Sequence, residues 1–330
     1  MNRRETLLAL LALGAASVPF ACLAQPKGKL WRVGFFLSGS RRTGGANEAA
    51  FLAGMKDHGY EVGRNLIVDT RYAEADPARY PAIADELIAL MPDVLLVSST
   101  GNAIVMKSKT TTIPIVLGSV GDPVGDGLAQ SLARPGGNVT GNSLQLFELG
   151  AKKIELMTEV LPGMRRVAVL TDLSQTKSAR DRYEQVTFTA ATAKGLMLEL
   201  HRVDGLEAIR RAFRKLETQR SDALLISPSP PFNRLRQEIC RGAASIRLPA
   251  IGFSDEWAQD GALMSFGPSF VEMYRRAASF VDRILKGAKP ADLPLEQPTK
   301  FDLVINARTA KALGIKIPGS ILIRADRVIE

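Results

Sequence analysis

Histidine is almost missing from this chain of 330 residues, which carries only His58 and His201. Cysteine is as scarce, at Cys22 and Cys240, so the ligand clusters of a protein zinc site are missing and no metal is expected. A Ser–His–Asp triad would have to recruit one of those two histidines, and no serine stands in a Gly-x-Ser-x-Gly elbow. No Gly-x-x-x-x-Gly-Lys phosphate loop occurs, and no Gly-x-Gly-x-x-Gly follows the first strand-like run. The chain therefore reads as a non-enzyme that needs no cofactor. Long runs of one charge are lacking too: lysines and arginines never stand more than two together, which speaks against a nucleic-acid surface despite a net charge of +9.

What is present begins at the N-terminus. Arg3 and Arg4 precede an apolar run, Leu7–Phe20, and then the small-residue stretch Ala21-Cys22-Leu23-Ala24. Basic, apolar and small residues in that order make a secretory signal, and the run falls short of the ~20 residues that span a bilayer. Cleavage after Ala24 is expected, giving a soluble periplasmic chain from Gln25. Glu5-Thr6 is a poor continuation of a twin-arginine signal, so general secretion is favoured. Pro19-Phe20-Ala21 is a poor approach to a lipidated cysteine, which places Cys22 in the discarded peptide. Cleavage lowers the charge from +9 to +8 by removing two arginines and one glutamate. It also leaves Cys240 alone, so no internal disulfide can form, and its helical-looking surroundings read as a small buried thiol.

Short aliphatic runs alternate with amphipathic stretches from Trp31 onward, the pattern of parallel sheets covered by helices. Strands are expected at Trp31–Leu37, Leu66–Arg71, Asp93–Val97 and Ile113–Leu117, then at Arg166–Leu170, Leu198–Val203, Ala223–Ile226, Ala250–Phe253 and Leu263–Phe266. Helices fit between them, among them Asn47–His58, Tyr80–Leu90, Ala179–Ala193 and Phe270–Lys286. The tail is read as strand Phe301–Ile305, helix Arg308–Leu313 and a strand-like Ile321–Ile323. The βα series occurs twice, with a change of lobe near Asn142–Gly150. Residues 25–145 form an N-terminal lobe to which roughly 268–298 return, and 146–267 form a C-terminal lobe with roughly 302–330.

In open sheets of this kind ligands bind at the carboxyl ends of the strands. Those ends carry Ser38 and Ser40, then Ser98, Thr100 and Gly101, then Ser119, Gly121 and Asp122. Hydroxyls and backbone N–H groups at helix starts suit a carboxylate, and Asp122 suits an ammonium group. The same residue types also serve as turn and cap residues. The second lobe offers Asp172, Ser227, Phe253 and Ser265 at equivalent edges, with Phe147, Phe232 and Trp257 as further apolar candidates. Asn138-Val139-Thr140 matches a glycosylation sequon but reads as a turn entering a strand.

Longer stretches carry a resemblance. Val120-Gly121-Asp122-Pro123-Val124, Leu132-Ala133-Arg134-Pro135-Gly136-Gly137-Asn138-Val139-Thr140-Gly141 and Asn306-Ala307-Arg308-Thr309-Ala310-Lys311-Ala312-Leu313-Gly314 resemble ABC-transporter substrate-binding proteins of the TrpX-like family. Leu285-Lys286-Gly287-Ala288-Lys289-Pro290 and Arg324-Ala325-Asp326 extend it over nearly all of the chain after the signal. The resemblance implies a type I periplasmic binding protein of α/β class, with two Rossmann-like lobes, parallel sheets, a three-stranded hinge and closure on a ligand. It further implies a small amino-acid-like, aromatic ligand and an inner-membrane ABC permease as partner, with the chain acting as a monomer. A periplasmic sensing domain that serves a membrane receptor is the alternative; neighbouring permease and ATPase genes, or a kinase gene, would separate the two.

Overall fold

Strand β1 (Trp31–Leu37) shows how the sequence builds the first lobe. Val33, Phe35 and Leu37 face one helical layer and Phe36 the other, so the strand is apolar on both sides, as a covered parallel strand must be. The computed structural model describes residues 29–144 and 147–330, of which Trp31–Glu330 form one compact unit. The export signal and Cys22 lie outside the described residues.

Helix α1 (Arg41–Asp57), β2 (Leu66–Tyr72), α2 (Tyr80–Ala89), β3 (Val94–Val97), α3 (Thr100–Lys109), β4 (Ile115–Val120) and β5 (Val139–Ser143) follow in order. They make a five-stranded parallel sheet in the order β2-β1-β3-β4-β5. Helix α1 begins six residues ahead of the expected Asn47, because Ser40 and Thr43 form a reciprocal capping box.

The second lobe runs through α4 (Phe147–Val160), β6 (Arg166–Asp172), α5 (Lys177–Ala193), β7 (Met197–Val203), α6 (Gly205–Gln219) and β8 (Ala223–Ile226). It continues with α7 (Pro230–Arg234), α8 (Arg236–Ser245), β9 (Ala250–Gly252), α9 (Asp255–Gln259) and β10 (Met264–Pro268). Helix α10 (Phe270–Leu285) then leaves this sheet and packs Tyr274, Phe280 and Val281 into the core beneath β1. Burying side chains of that size stabilises by ~1.5–3 kcal/mol each, which ties the helix to the first lobe although it follows β10 in sequence. The segment before residue 300 lies along β5, where the Ser143 N–H donates to the Glu296 carbonyl at 2.8 Å.

The chain then crosses back as β11 (Phe301–Asn306), followed by α11 (Ala307–Leu313), α12 (Gly319–Arg324) and β12 (Arg327–Ile329). The second sheet reads β12-β11-β10-β9-β8-β6-β7. It is not wholly parallel, because β11 enters from the first lobe and pairs antiparallel with β10. The strand-like Ile321–Ile323 proves to be part of α12, with Ile321 buried and Ile323 exposed. Pro318 sets φ just ahead of the first turn and starts a helix where composition had favoured a strand.

Candidate functional site

Both sheets reverse strand order beside their first strand, between β1 and β3 and between β6 and β8. Such a reversal splays the loops on either side and opens a crevice at the carboxyl edge. The two crevices open on one cavity of about 400 Å³ between the lobes.

On the first lobe the loops are cross-stitched. The Ser98 hydroxyl accepts the Ser38 N–H at 2.7 Å and donates to the Ser38 hydroxyl at 3.1 Å. The Ser38 proton is left for the cavity. The Asn102 amide holds the Phe36 carbonyl at 2.9 Å, fixing the start of α3 against the end of β1. Ser119 donates to the Ser98 carbonyl at 2.9 Å, so the Tyr274 hydroxyl 2.9 Å away must be the donor in their shared bond. Gly118 permits this, since a Cβ there would sit 2.5 Å from the Tyr274 ring. Thr100 accepts the Gly121 N–H at 3.3 Å, and a Cβ on Gly101 would lie 3.0 Å from the ring of Tyr80, another wall residue.

On the second lobe the Gln175 amide donates to the Pro228 carbonyl, joining the loops after β6 and β8 as the serines do in the first lobe. Helix α5 contributes Arg182 and Tyr183 to the wall, and Phe147, Phe253, Phe270 and the Pro228–Pro231 turn add apolar surface. Ser229 caps α7 by accepting the Phe232 N–H at 3.1 Å. The lobes touch beside the cavity: Arg182 pairs with Asp122, and Thr176 donates to Asp126 at 3.0 Å.

Of the residues expected from the sequence, Ser38, Ser98, Thr100, Gly101, Ser119, Gly121, Asp122 and Phe253 line this cavity. Ser40, Asp172, Ser227 and Ser265 do not. Ser40 turns to Thr43 to cap α1. Asp172 is buried and closes its own turn, accepting from the Ser174 N–H at 2.9 Å and the Ser174 hydroxyl at 2.7 Å. Ser227 and Ser265 are each 1% exposed, their hydroxyls turned into the lobe without a partner among the described residues. Phe232 and Trp257 are core residues, with the Trp257 indole donating to Asn233 at 3.0 Å. The Asn138 amide is buried and donates to the Thr110 and Ile113 carbonyls, so the sequon residue holds the turn into β5.

The charges around the cavity differ from the sequence expectation. Asp122 is not an open anion, for its carboxylate takes both Arg182 and the Gly125 N–H, the latter at 3.0 Å. Glu256, which the sequence did not single out, lines the cavity from α9. Its carboxyl accepts the Ser254 hydroxyl at 2.5 Å, and burial holds its pKa above the usual range. Behind Phe253, the wholly buried Lys153 ammonium donates to the Ile226 carbonyl at 2.9 Å and faces the ring at 5.6 Å. Burial lowers its pKa to about 7. Cys240 is buried in the second-lobe core with its thiol pushed up to about 12 by burial, which makes it a packing residue rather than a nucleophile. Among the described residues no three of His, Cys, Asp and Glu come together as a metal site.

This geometry has known counterparts. The family model of the ABC transporter substrate binding protein matches residues 43–329. The chain belongs to this family. It is a solute-binding protein, not an enzyme. A protein of Clostridioides difficile named tyrosine-binding protein is 25% identical over 279 residues, which cover 81% of this chain and 76% of that one. The crystal structure of a conserved domain protein from Vibrio cholerae is 28% identical, with a TM-score of 0.85, covering 91% of this chain and 100% of that one. A Streptococcus pneumonia ABC domain solved in complex with L-Trp shares the two-lobed fold at TM-score 0.85 and 23% identity, covering 91% of this chain and 99% of that one.

Proposed function

We propose that the chain captures a free amino acid with an aromatic side chain between its lobes, in the periplasm, and delivers it to an inner-membrane ABC permease. The observation that carries this reading is the pairing of unlike polar groups on opposite lobes of one cavity. The first lobe presents the Ser38 and Thr100 hydroxyls and the head of α3, whose backbone N–H groups and dipole favour a carboxylate. The second lobe presents Glu256, a carboxyl whose pKa is raised by burial and further by the neighbouring Asp255 charge, both of which an ammonium group would offset. An amino acid supplies both missing charges at once. Phe147, Phe253, Tyr80 and the proline turn give its side chain apolar and aromatic walls. The C. difficile relative named for tyrosine and the L-Trp complex support the choice of an aromatic side chain.

Within this reading, the chain beginning at Gln25 works as a monomer, and the crossings near Ser143, Pro268 and 296–301 act as the hinge. The test is titration calorimetry of that chain against the free amino acids. Binding is expected for aromatic members, and Glu256→Gln is expected to weaken it ~10- to 100-fold, the worth of a hydrogen bond to a charged group. Absence of heat with every amino acid, or an unchanged constant for the variant, rejects the reading or its Glu256 assignment respectively.

A further inference from the structure

We infer that Asn233 is a specificity-determining residue, whose side-chain amide donates to an acceptor on the ligand's ring and so selects a ring that carries a hydroxyl. The inference rests on the amino-acid reading above and deepens it to a ligand class. Phenolic amino acids come ahead of those whose ring has only an N–H or no polar group.

Trp257 is wholly buried, and its indole N–H can donate but never accept. It donates to Asn233 Oδ1 at 3.0 Å, which settles the end of the amide that faces the core. The Nδ2 end, with its two protons, is thereby turned away from Trp257. Asn233 is half-buried in the cavity wall. Its Nδ2 has no partner among the described residues and is not one of the polar atoms closed off inside the lobe. Neighbouring polar groups of the same wall are already committed. Ser174, Thr176 and Ser254 spend their protons on Asp172, Asp126 and Glu256.

The position of Asn233 ties it to the ligand's side chain. It stands three residues after Pro230 in α7, so the two share one helix face, and both line the cavity. The proline turn is the wall assigned above to the aromatic ring, whereas the carboxylate goes to the first lobe and the ammonium to Glu256. A ring laid over Nδ2 strips water from a donor. A phenol oxygen replaces that water as acceptor; a bare phenyl ring offers nothing, and an indole N–H sets a donor against a donor. A site built around a polar partner rejects the analogue lacking it more sharply than a difference in size would.

The experiment measures dissociation constants of L-tyrosine, L-phenylalanine and L-tryptophan for the chain from Gln25, for Asn233→Leu and for Asn233→Asp, with melting temperatures of each. On the parent, tyrosine is expected to bind at least about tenfold more tightly than the other two. In Asn233→Leu the tyrosine lead over phenylalanine should fall to within about threefold, and melting should come earlier because the Trp257 N–H loses its acceptor. Asn233→Asp keeps that acceptor and should melt near the parent. Its second oxygen replaces the donor, which should lift tryptophan at least about threefold relative to phenylalanine. Equal binding of tyrosine and phenylalanine by the parent overturns the inference while leaving the amino-acid reading standing. So does a tyrosine lead unchanged in Asn233→Leu, the result expected if the amide met the carboxylate. A tryptophan-to-phenylalanine ratio unchanged in Asn233→Asp overturns it as well, and decides the matter should Asn233→Leu fail to fold. Absence of binding by all three amino acids overturns both.

Discussion

Arg182 of the second lobe pairs with Asp122 of the first, and its guanidinium also lies 5.2 Å from the Phe147 ring centroid, so one side chain joins both lobes and the cavity wall. A contact between lobes exists only when they are together, so it shifts the balance toward the ligand-holding form. Arg182 is 44% exposed at its side chain, which limits the pair to ~0.2–1 kcal/mol, up to about fivefold in affinity. A double-mutant cycle with Asp122→Asn and Arg182→Gln should show that coupling, and high salt should reduce it. Were Asp122 instead to meet the ligand ammonium directly, Asp122→Asn alone would cost tenfold or more and would not couple to Arg182.

Lys153 sets a pH dependence with a definite sign. Its folded pKa of about 7 lies below its unfolded value, so between pH ~7 and ~10 the unfolded chain binds the extra proton and stability rises with pH. Below about 7 the ammonium is charged in both states and this slope vanishes. Lys153→Met should remove the slope, gaining most over the parent at pH 6 and losing that advantage toward pH 10. Urea unfolding of both proteins across this range checks it, and parallel pH profiles would show that Lys153 keeps its proton when folded.

The fold was largely legible because buried parallel strands announce themselves. Trp31–Leu37 and Ala223–Ile226 are apolar runs bounded by turn residues, and both end where the sequence placed them. The first-lobe half of the candidate site was legible too, since Ser38, Ser98 and Gly121 follow their strands directly and Thr100 opens the helix after β3. Ser40 misled because a capping serine and a ligand-holding serine look alike until the Thr43 contact is seen. Ser227 directly follows β8 and Ser265 stands second in β10, and both side chains are buried in the lobe, which a serine beside a strand end does not announce. Arg182, Tyr183 and Glu256 stand within helices and carry no local motif. Tyr274 reaches the cavity only because α10 returns to the first lobe, a placement no local pattern encodes.

Gly118 is required by that return. A methyl group there would sit 2.5 Å from the Tyr274 ring and 3.1 Å from the Val97 carbonyl, and neither neighbour is free to move. Gly118→Ala is expected to destabilise by ~1–3 kcal/mol, as overpacking does, with a lower urea midpoint and an unchanged slope. Stability equal to the parent would mean that α10 sits further from β4 than this packing shows.

The cross-stitched serines separate binding from folding. The Ser38 hydroxyl accepts from the Ser98 hydroxyl and keeps its own proton for the cavity, whereas Ser119 spends its proton on the Ser98 carbonyl and serves as the acceptor for Tyr274. Ser38→Ala should therefore weaken the ligand by roughly tenfold, the worth of a hydrogen bond to a carboxylate, while the melting temperature changes little. Ser119→Ala leaves the fully buried Tyr274 hydroxyl without an acceptor, at a cost of ~1–3 kcal/mol to the fold. Its melting temperature should fall by several degrees even in the absence of ligand. Calorimetric titration and thermal melts of the two variants side by side give the comparison. If Ser119→Ala weakened the ligand more than Ser38→Ala while melting like the parent, Ser119 would be the donor to the ligand, and the direction of the Ser119–Tyr274 bond would be reversed.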